Sequence, residues 1–296
     1  MKVGFVTIVG RPNAGKSTLL NSIIGEKVAI TSDKPQTTRN NIQGIYNDED
    51  SQIIFVDTPG IHKPKNKLGN YLNIESYSSI MGVDLVLFMI DAGTPFGKGD
   101  EFILNKIKEE NVDTFLIINK IDNINNEILY KLINDYKDKY EFKEIIPVSA
   151  LKNKNIDELI KTIKKYIKDG EKIYSDEYYT DKSINFMISE LIREKVLRKT
   201  KEEVPHAVTV VIEKYEDNKT SVHINACIIC EREGIKKILV GHNGEMIKNI
   251  GISAREDIEK LVNKSVYLEL FVKTVNNWRD RDKYLIEFGF DEKNFE

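Results

Sequence analysis

The run Gly10-Arg11-Pro12-Asn13-Ala14-Gly15-Lys16-Ser17 follows the apolar stretch Val3 to Val9 and precedes the helix-like Thr18 to Ile24. A glycine-bounded loop ending in Lys-Ser, set between a strand and a helix, constrains this chain more than any other feature. The two glycines let the backbone wrap closely, so that its N–H groups converge on phosphate oxygens. Lys16 then reaches the β- and γ-phosphates, and the Ser17 hydroxyl is a ligand for Mg²⁺. Gly10, Asn13, Ala14, Gly15, Lys16, Ser17 and Thr18 form the candidate phosphate cradle.

Such a loop belongs to a mostly parallel sheet, and the next part of the chain supplies one. Ile53 to Val56, Leu85 to Ile90, Phe115 to Ile118 and Ile145 to Val148 are short apolar runs, read as strands buried on both faces. Amphipathic stretches such as Glu101 to Lys108 and Ile156 to Ile167 alternate with them, which is the doubly wound α/β pattern. Candidate chemistry collects at the strand ends. Asp57-Thr58-Pro59-Gly60 ends one strand, where Asp57 can hold Mg²⁺ through water and the Gly60 N–H can approach a γ-phosphate. Asn119-Lys120-Ile121-Asp122 ends another. The Asp122 carboxylate can accept two N–H bonds from guanine, a pair that adenine does not offer, so the wrong base would leave polar groups unpaired. Asn119 braces that loop, the Lys120 stem can cover the base, and Ser149-Ala150-Leu151 can offer a backbone N–H to the guanine carbonyl.

Polar Asp169 to Tyr179, with Gly170, breaks the alternation and reads as a linker. The expected organisation is a nucleotide-binding domain over 1–168, a linker over 169–182, and a second domain with a C-terminal tail over 183–296. The second part reads as a helix over Ser183 to Lys199, then strands at Ala207 to Lys214 and Ser221 to Cys230 around the turn Glu216-Asp217-Asn218. A short helix, a glycine loop at Gly241 to Gly244, a long helix and a strand at Val266 to Lys273 follow. The order α-β-β-α-α-β suits an α+β KH module of type II. Gly241-His242-Asn243-Gly244, leading into Ile247-Lys248-Asn249-Ile250-Gly251, resembles the KH signature, in which a GxxG loop clamps a nucleic-acid backbone. Lys236, Lys237 and Lys248 flank the loop as candidate phosphate contacts.

Charge makes this attraction local. The whole chain carries a formal net charge of −3, and from Asp181 onward 20 Lys+Arg face 21 Asp+Glu. The cluster Arg193, Lys195, Arg198, Lys199, Lys201 reads as a solvated helix face and a second-choice RNA contact. Tyr267 and Phe271, spaced for one strand face, read as core. Cys227 and Cys230 sit three apart in a strand, hence on opposite faces, which argues against zinc. The lysines of Lys161 to Lys168 would permit peripheral contact with a membrane or RNA, but the apolar positions there suit a docked helix better. No apolar run reaches the roughly 18 residues of a membrane span. The start lacks a signal peptide's pattern, and the location expected is the cytoplasm.

The segments GRPNAGKST, QTTRN, DTPGIHKP, NKID and VSAL, then FMISELIREKVL, EREGIKKILVG and IGISAREDIEKL, are similar to the Era family of bacterial GTPases along essentially the whole chain. This resemblance implies a GTP-hydrolysing switch in assembly of the small ribosomal subunit, with GTP/GDP and Mg²⁺ as cofactors and a monomeric state. The KH module would bind small-subunit ribosomal RNA near its 3′ end. One switch I threonine, Thr38 or alternatively Thr37, would contact Mg²⁺ and the γ-phosphate. Asn13 would either help hold K⁺ beside the phosphates or serve the turn alone. Lys16, Thr38 and Gly60 are then the candidate catalytic groups. Ile61 stands where Ras-like enzymes carry the water-orienting glutamine, so intrinsic turnover is expected to be slow, and Arg39 is a weak candidate for an arginine finger. His242 and Asn243 replace the Lys or Arg common in the KH loop of that family. Two other classes remain open: an RNA-modifying GTPase, for which no catalytic cysteine or cofactor signature follows the first domain, and a nucleotide-regulated RNA scaffold whose hydrolysis is incidental.

Overall fold

The computed structural model describes residues 1–290; the end of the C-terminal tail, 291–296, lies outside them. The chain divides into two compact units that are not contiguous in sequence. One comprises Met1–Ala29, Thr38–Pro64 and Gly69–Asp181; the other comprises Ile30–Thr37, Lys65–Leu68 and the chain from Lys182 onward.

The first unit is built on a six-stranded sheet. Its strands are β1 (Lys2–Gly10), β2 (Ile42–Asn47), β3 (Ser51–Asp57), β4 (Leu85–Asp91), β5 (Thr114–Asn119) and β6 (Glu144–Pro147). The spatial order is β2-β3-β1-β4-β5-β6. All neighbours are parallel except β2 and β3. The apolar runs of β4 and β5 are buried throughout, as strands covered on both faces must be. Its helices are α1 (Lys16–Ile24), α2 (Lys67–Ser78, all but its first two residues), α3 (Lys98–Glu110), α4 (Asn126–Lys137) and α5 (Ile156–Ile163). Ile103, Leu104 and Ile107 of α3, with Leu132 and Tyr136 of α4, pack on Val86, Phe88, Leu116 and Ile118. Each such side chain contributes about 1.5–3 kcal/mol on leaving water. Ile156, Leu159, Ile160 and Ile163 of α5 are buried, and so is Ile167 beyond it. The lysines of that stretch therefore border a docked helix.

The segment read as a linker is laid along this unit. Gln52 binds it at three points: its amide NH₂ donates to the Tyr174 carbonyl, and its amide oxygen accepts from the N–H groups of Ile173 and Tyr174. The Ile45 N–H donates to the Tyr179 carbonyl, and the Gln43 N–H to the Asp181 carboxylate. These bonds use the free edge of β2, which would otherwise present unpaired backbone groups.

The second unit follows the order α6 (Ile184–Lys199), β7 (Val208–Asp217), β8 (Ser221–Cys230), α7 (Glu233–Val240), α8 (Glu245–Val262), β9 (Ser265–Thr274). A short helix, α9 (Asp282–Glu287), comes later. Strand β8 lies between β7, antiparallel to it, and β9, parallel to it. Ile188, Leu191, Ile192 and Val196 of α6, Ile235 and Leu239 of α7, and Ile250, Ala254 and Ile258 of α8 share one core with the inward residues of the sheet. Cys230 belongs to that core and Cys227 does not, as their odd spacing requires.

Candidate nucleotide site and RNA interface

The phosphate loop joins β1 to α1. Gly15 precedes the first turn of α1 at φ 99°, a left-handed conformation that favours glycine. A Cβ there would also lie 2.3 Å from the Asn119 amide nitrogen, so nothing larger fits between the loop and β5. The helix start, with Ser17 and Thr18, points its free N–H groups and positive dipole end into the site. Lys16 is buried, and its ammonium donates to the carbonyls of Gly10 and Arg11, both at 3.3 Å. Burial lowers its pKa; the nearby Asp57 charge opposes this.

Three oxygens meet where a metal would be held. Ser17 Oγ donates to Asp57 Oδ2 at 2.6 Å and lies 2.8 Å from Thr38 Oγ1, which is itself 3.2 Å from Asp57 Oδ2. Thr37 Oγ1 instead donates to the Lys34 carbonyl. Of the two threonines, only Thr38 faces the site. Asp57 is fully buried, and its Oδ1 has no hydrogen-bond partner. Burial raises its pKa, against the pull of Lys16, Ser17 and Thr38. A buried carboxylate oxygen without a partner beside two hydroxyls is a donor set of all-oxygen character, and it fits Mg²⁺.

Gly60 lies against Pro12 of the phosphate loop. Ile61, next in sequence, turns away into the core with Val9, Val86 and Phe88. It cannot orient water from there. The His62 ring nitrogen Nδ1 sits 2.8 Å from the Gly60 carbonyl, and Asn73 exchanges hydrogen bonds with the His62 backbone. Arg39 is only 2% exposed, so it does not stand out as a finger.

The base-reading loops are cross-braced. The Asn119 amide donates to the Ala14 carbonyl at 2.8 Å and accepts from the Ala150 N–H at 3.0 Å. One buried side chain thus joins three motifs. Ser149 Oγ donates to Asp122 Oδ1 at 2.6 Å. That bond holds the Asp122 carboxyl below its usual range, so it stays ionised and available to accept. Leu151 is exposed at the end of the loop. The Lys120 ammonium donates to the Asn13 carbonyl at 2.8 Å and to Asp91 Oδ2 at 2.6 Å. Asp91 was not among the residues expected from motifs; its only sequence signal is an acid at a strand end.

In the second unit, Gly241 to Gly244 connects α7 to α8. His242 and Asn243 are exposed, as are Lys237 and Lys248, while Lys236 is half-buried. Gly244 has φ 79°, with open space where a Cβ would stand. Beside the loop runs a groove of about 300 Å³, lined by Ile247, Gly251, Ile252 and Arg255 of α8 and by Leu268 and Leu270 of β9. Its helix residues 247, 251 and 255 follow i, i+4 spacing, which a reading centred on the loop overlooks.

Two expectations about this unit are corrected. Tyr267 and Phe271 are more than half exposed. Helices α6, α7 and α8 pack on the other face of the sheet, so outward positions of β9 meet solvent, and strand parity alone could not tell which face was covered. The basic run on α6 is only in part a solvated face: Arg198, Lys199 and Lys201 are exposed. Arg193 and Lys195 are buried, and Arg193 donates to the Thr37 carbonyl and to Glu190. Glu194 accepts from the Thr31 N–H at 3.0 Å, and Arg198 donates to the Thr31 carbonyl. Lys195 pairs with Glu194 and Asp257. Arg193 and Arg198 thus hold residues 31–37 within the unit, and Lys195 ties α6 to α8.

Residues 5–120 match the family model described as 50S ribosome-binding GTPase, and residues 203–279 match that of the KH domain. GTPase Era of Clostridium kluyveri is 50% identical over 291 residues, covering 98% of this chain and 99% of the relative. The chain belongs to the Era family of GTPases. Two solved Era structures superpose with TM-scores of 0.95 at 42% identity, each covering 98% of this chain and 99% of the other. One is Aquifex aeolicus Era, carrying a substitution, bound to GDP and AlF₄⁻. The other is Era in complex with MgGDPNP and nucleotides 1506–1542 of 16S ribosomal RNA. The Era family thus supplies the fold, the guanine nucleotide and Mg²⁺ that the sequence resemblance implies.

Proposed function

We propose that this protein hydrolyses GTP with Mg²⁺ and binds small-subunit ribosomal RNA near its 3′ end, as a switch in assembly of the small ribosomal subunit. The observation that carries the chemistry is the meeting of Ser17, Thr38 and the unpartnered Asp57 oxygen at the head of a phosphate loop. Ser17, Thr38 and, through water, Asp57 would hold Mg²⁺, which when bound neutralises charge building on the phosphates. Lys16, already buried, would exchange its two carbonyl partners for phosphate oxygens. The Gly60 N–H would take the γ-phosphate. Asp122, Asn119, Lys120 and the Ser149–Leu151 loop would read guanine.

RNA would lie on Gly241 to Gly244, with Lys236, Lys237 and Lys248 on its phosphates and bases in the groove beyond. The Era complex with nucleotides 1506–1542 of 16S ribosomal RNA supports the choice of ribosomal RNA as the ligand. No helix among the described residues is long and apolar enough to cross a membrane, and a cytoplasmic monomer is the state we propose. Asn13 is proposed as a K⁺ ligand beside the phosphates. With neither a glutamine after Gly60 nor an exposed arginine at 39, unassisted turnover should be slow.

The test is GTP turnover with and without purified small subunits, in potassium and in sodium at equal ionic strength. A switch gives slow turnover that subunits accelerate. A scaffold with incidental hydrolysis gives the same rate in both. Equal rates in the two salts would leave Asn13 with the turn alone.

A further inference from the structure

We infer that Asp91 is a positioning residue for the nucleotide, acting by fixing Lys120 across the guanine ring. The inference rests on the reading of Asn119 to Asp122 as the base site. Asp91 is the last residue of β4, in register with Asn119 of β5. Its two carboxylate oxygens have different tasks. Oδ1 accepts from the Gly93 N–H at 2.9 Å, which ties the side chain to the turn that follows the strand. Oδ2 accepts from the Lys120 ammonium at 2.6 Å. The backbone is fixed as well, because the Ala92 N–H donates to the Asn119 carbonyl at 2.9 Å. A carboxylate held at both its backbone and its second oxygen is a rigid acceptor.

Lys120 needs such an acceptor. It sits at φ 65°, outside the strand, with about a third of its side chain exposed. A four-carbon stem with free rotors loses much of its side-chain entropy when ordered. The Asn13 carbonyl alone offers one bond at 2.8 Å. With Asp91 the ammonium is held from two sides, by the phosphate loop and by the end of β4. The stem between them is then pre-set where a purine ring would stack, and nucleotide binding need not order it. Asp91 touches no nucleotide in this arrangement; its effect passes through Lys120.

The experiment measures release of a fluorescent methylanthraniloyl-GDP from the full chain with Mg²⁺, for five proteins: wild type, Asp91→Ala, Asp91→Asn, Lys120→Ala and the double alanine variant. Asp91→Ala should release nucleotide about tenfold faster, toward the low end for a charged hydrogen bond because the pair is partly exposed. The KM for GTP should rise with it, and kcat should move less. Asp91→Asn keeps an acceptor oxygen and should fall between. In the double variant, removing Asp91 should add nothing to the effect of Lys120→Ala. The inference is overturned if Asp91→Ala releases nucleotide at the wild-type rate. It is equally overturned if the double variant exceeds Lys120→Ala by the full factor seen for Asp91→Ala alone. If Lys120→Ala itself leaves release unchanged, the base-site reading fails, and the inference falls with it. Equal melting temperatures of the nucleotide-free Asp91→Asn and wild-type proteins separate positioning from folding.

Discussion

The proposed nucleotide site and the proposed RNA interface are opposite solutions to binding phosphate. At the first, Lys16, Asn119 and Asp57 are buried, and most polar groups are already paired with one another: Lys16 with two carbonyls, Asn119 across two loops, Ser17 with Asp57. At the second, the loop residues His242 and Asn243 and the lysines 237 and 248 stand in solvent. A low-dielectric site makes each charge worth more and leaves each error unhydrated. An exposed loop is forgiving, screened by salt, and draws its strength from several weak contacts. Single substitutions should therefore be drastic in the first region and graded in the second.

The largest effect should come from Lys16→Ala. Removing a charge aimed at the transferring phosphoryl group should cost about 10³-fold or more in turnover. RNA affinity should hold, since no RNA contact is assigned to Lys16. Single-turnover hydrolysis would check this, and a loss below tenfold would place the buried site on the forgiving side of the comparison.

Next is Asp122→Asn. A site built for guanine's N–H pair should lose about 10²-fold or more in GTP affinity once the acceptor becomes part donor. Xanthosine triphosphate, with a carbonyl in place of the amine, should gain in the variant. Competition binding of the two nucleotides measures the exchange. Unchanged preference for GTP would contradict the role given to Asp122.

Gly244→Asp should weaken RNA binding by roughly 10–100-fold through a negative charge within the ~10 Å reach of RNA phosphates. The open space around the Gly244 Cβ position leaves room for the side chain, and Asp tolerates left-handed backbone better than most residues. GTP turnover should remain near normal. Filter binding of a ribosomal RNA 3′ fragment reads the first effect, and phosphate release reads the second.

The two regions also differ in how far sequence alone disclosed them. Phosphate-loop chemistry is local: eight consecutive residues dictate glycine positions, lysine and hydroxyl together. The choice between Thr37 and Thr38 was not local, because it depends on which hydroxyl turns toward Ser17. Strand β2, short and polar at its edge, gave no apolar run to read, and α2 lacked a clear stripe. On α6, the charges of Arg193 and Lys195 signalled solvent, yet carboxylate and carbonyl partners distant in sequence let them be buried. Asp91 was invisible for the same reason: its partner Lys120 is 29 residues away. The α8–β9 groove needed the fold to bring Leu268 and Leu270 under Gly251.

A smaller effect separates the regions by pH. Burial raises the Asp57 carboxyl above the usual range. As pH falls through that raised value, protonation removes the charge with which Asp57 would hold Mg²⁺ through water. Mg²⁺ affinity should therefore decline toward acid by at most about tenfold per pH unit for one proton, and level off above it. RNA binding through lysines should show no matching decline. Mg²⁺ titration of the nucleotide complex of the wild type and of Asp57→Asn at a series of pH values separates this proton from that of the terminal phosphate; identical pH profiles would contradict the role given to Asp57.

The mildest substitutions, Lys236→Gln with Lys237→Gln, probe the RNA interface as a sum of screened contacts. Each lysine sits on α7 just before the loop, one half-buried and one exposed. If both neutralise RNA phosphates, their loss releases about two fewer counterions on binding. The slope of log affinity against log salt should then flatten by about 0.7 per contact for single-stranded RNA. The loss should be similar for the 3′ fragment and for a scrambled one, because phosphates carry no sequence information. Gly244→Asp, placed at the loop itself, should instead steepen discrimination losses against the 3′ fragment. Titrations of both RNAs at two salt concentrations separate the cases. An unchanged slope would remove α7 from the interface and shift the cationic contribution to Lys248 and Arg255, which border the groove.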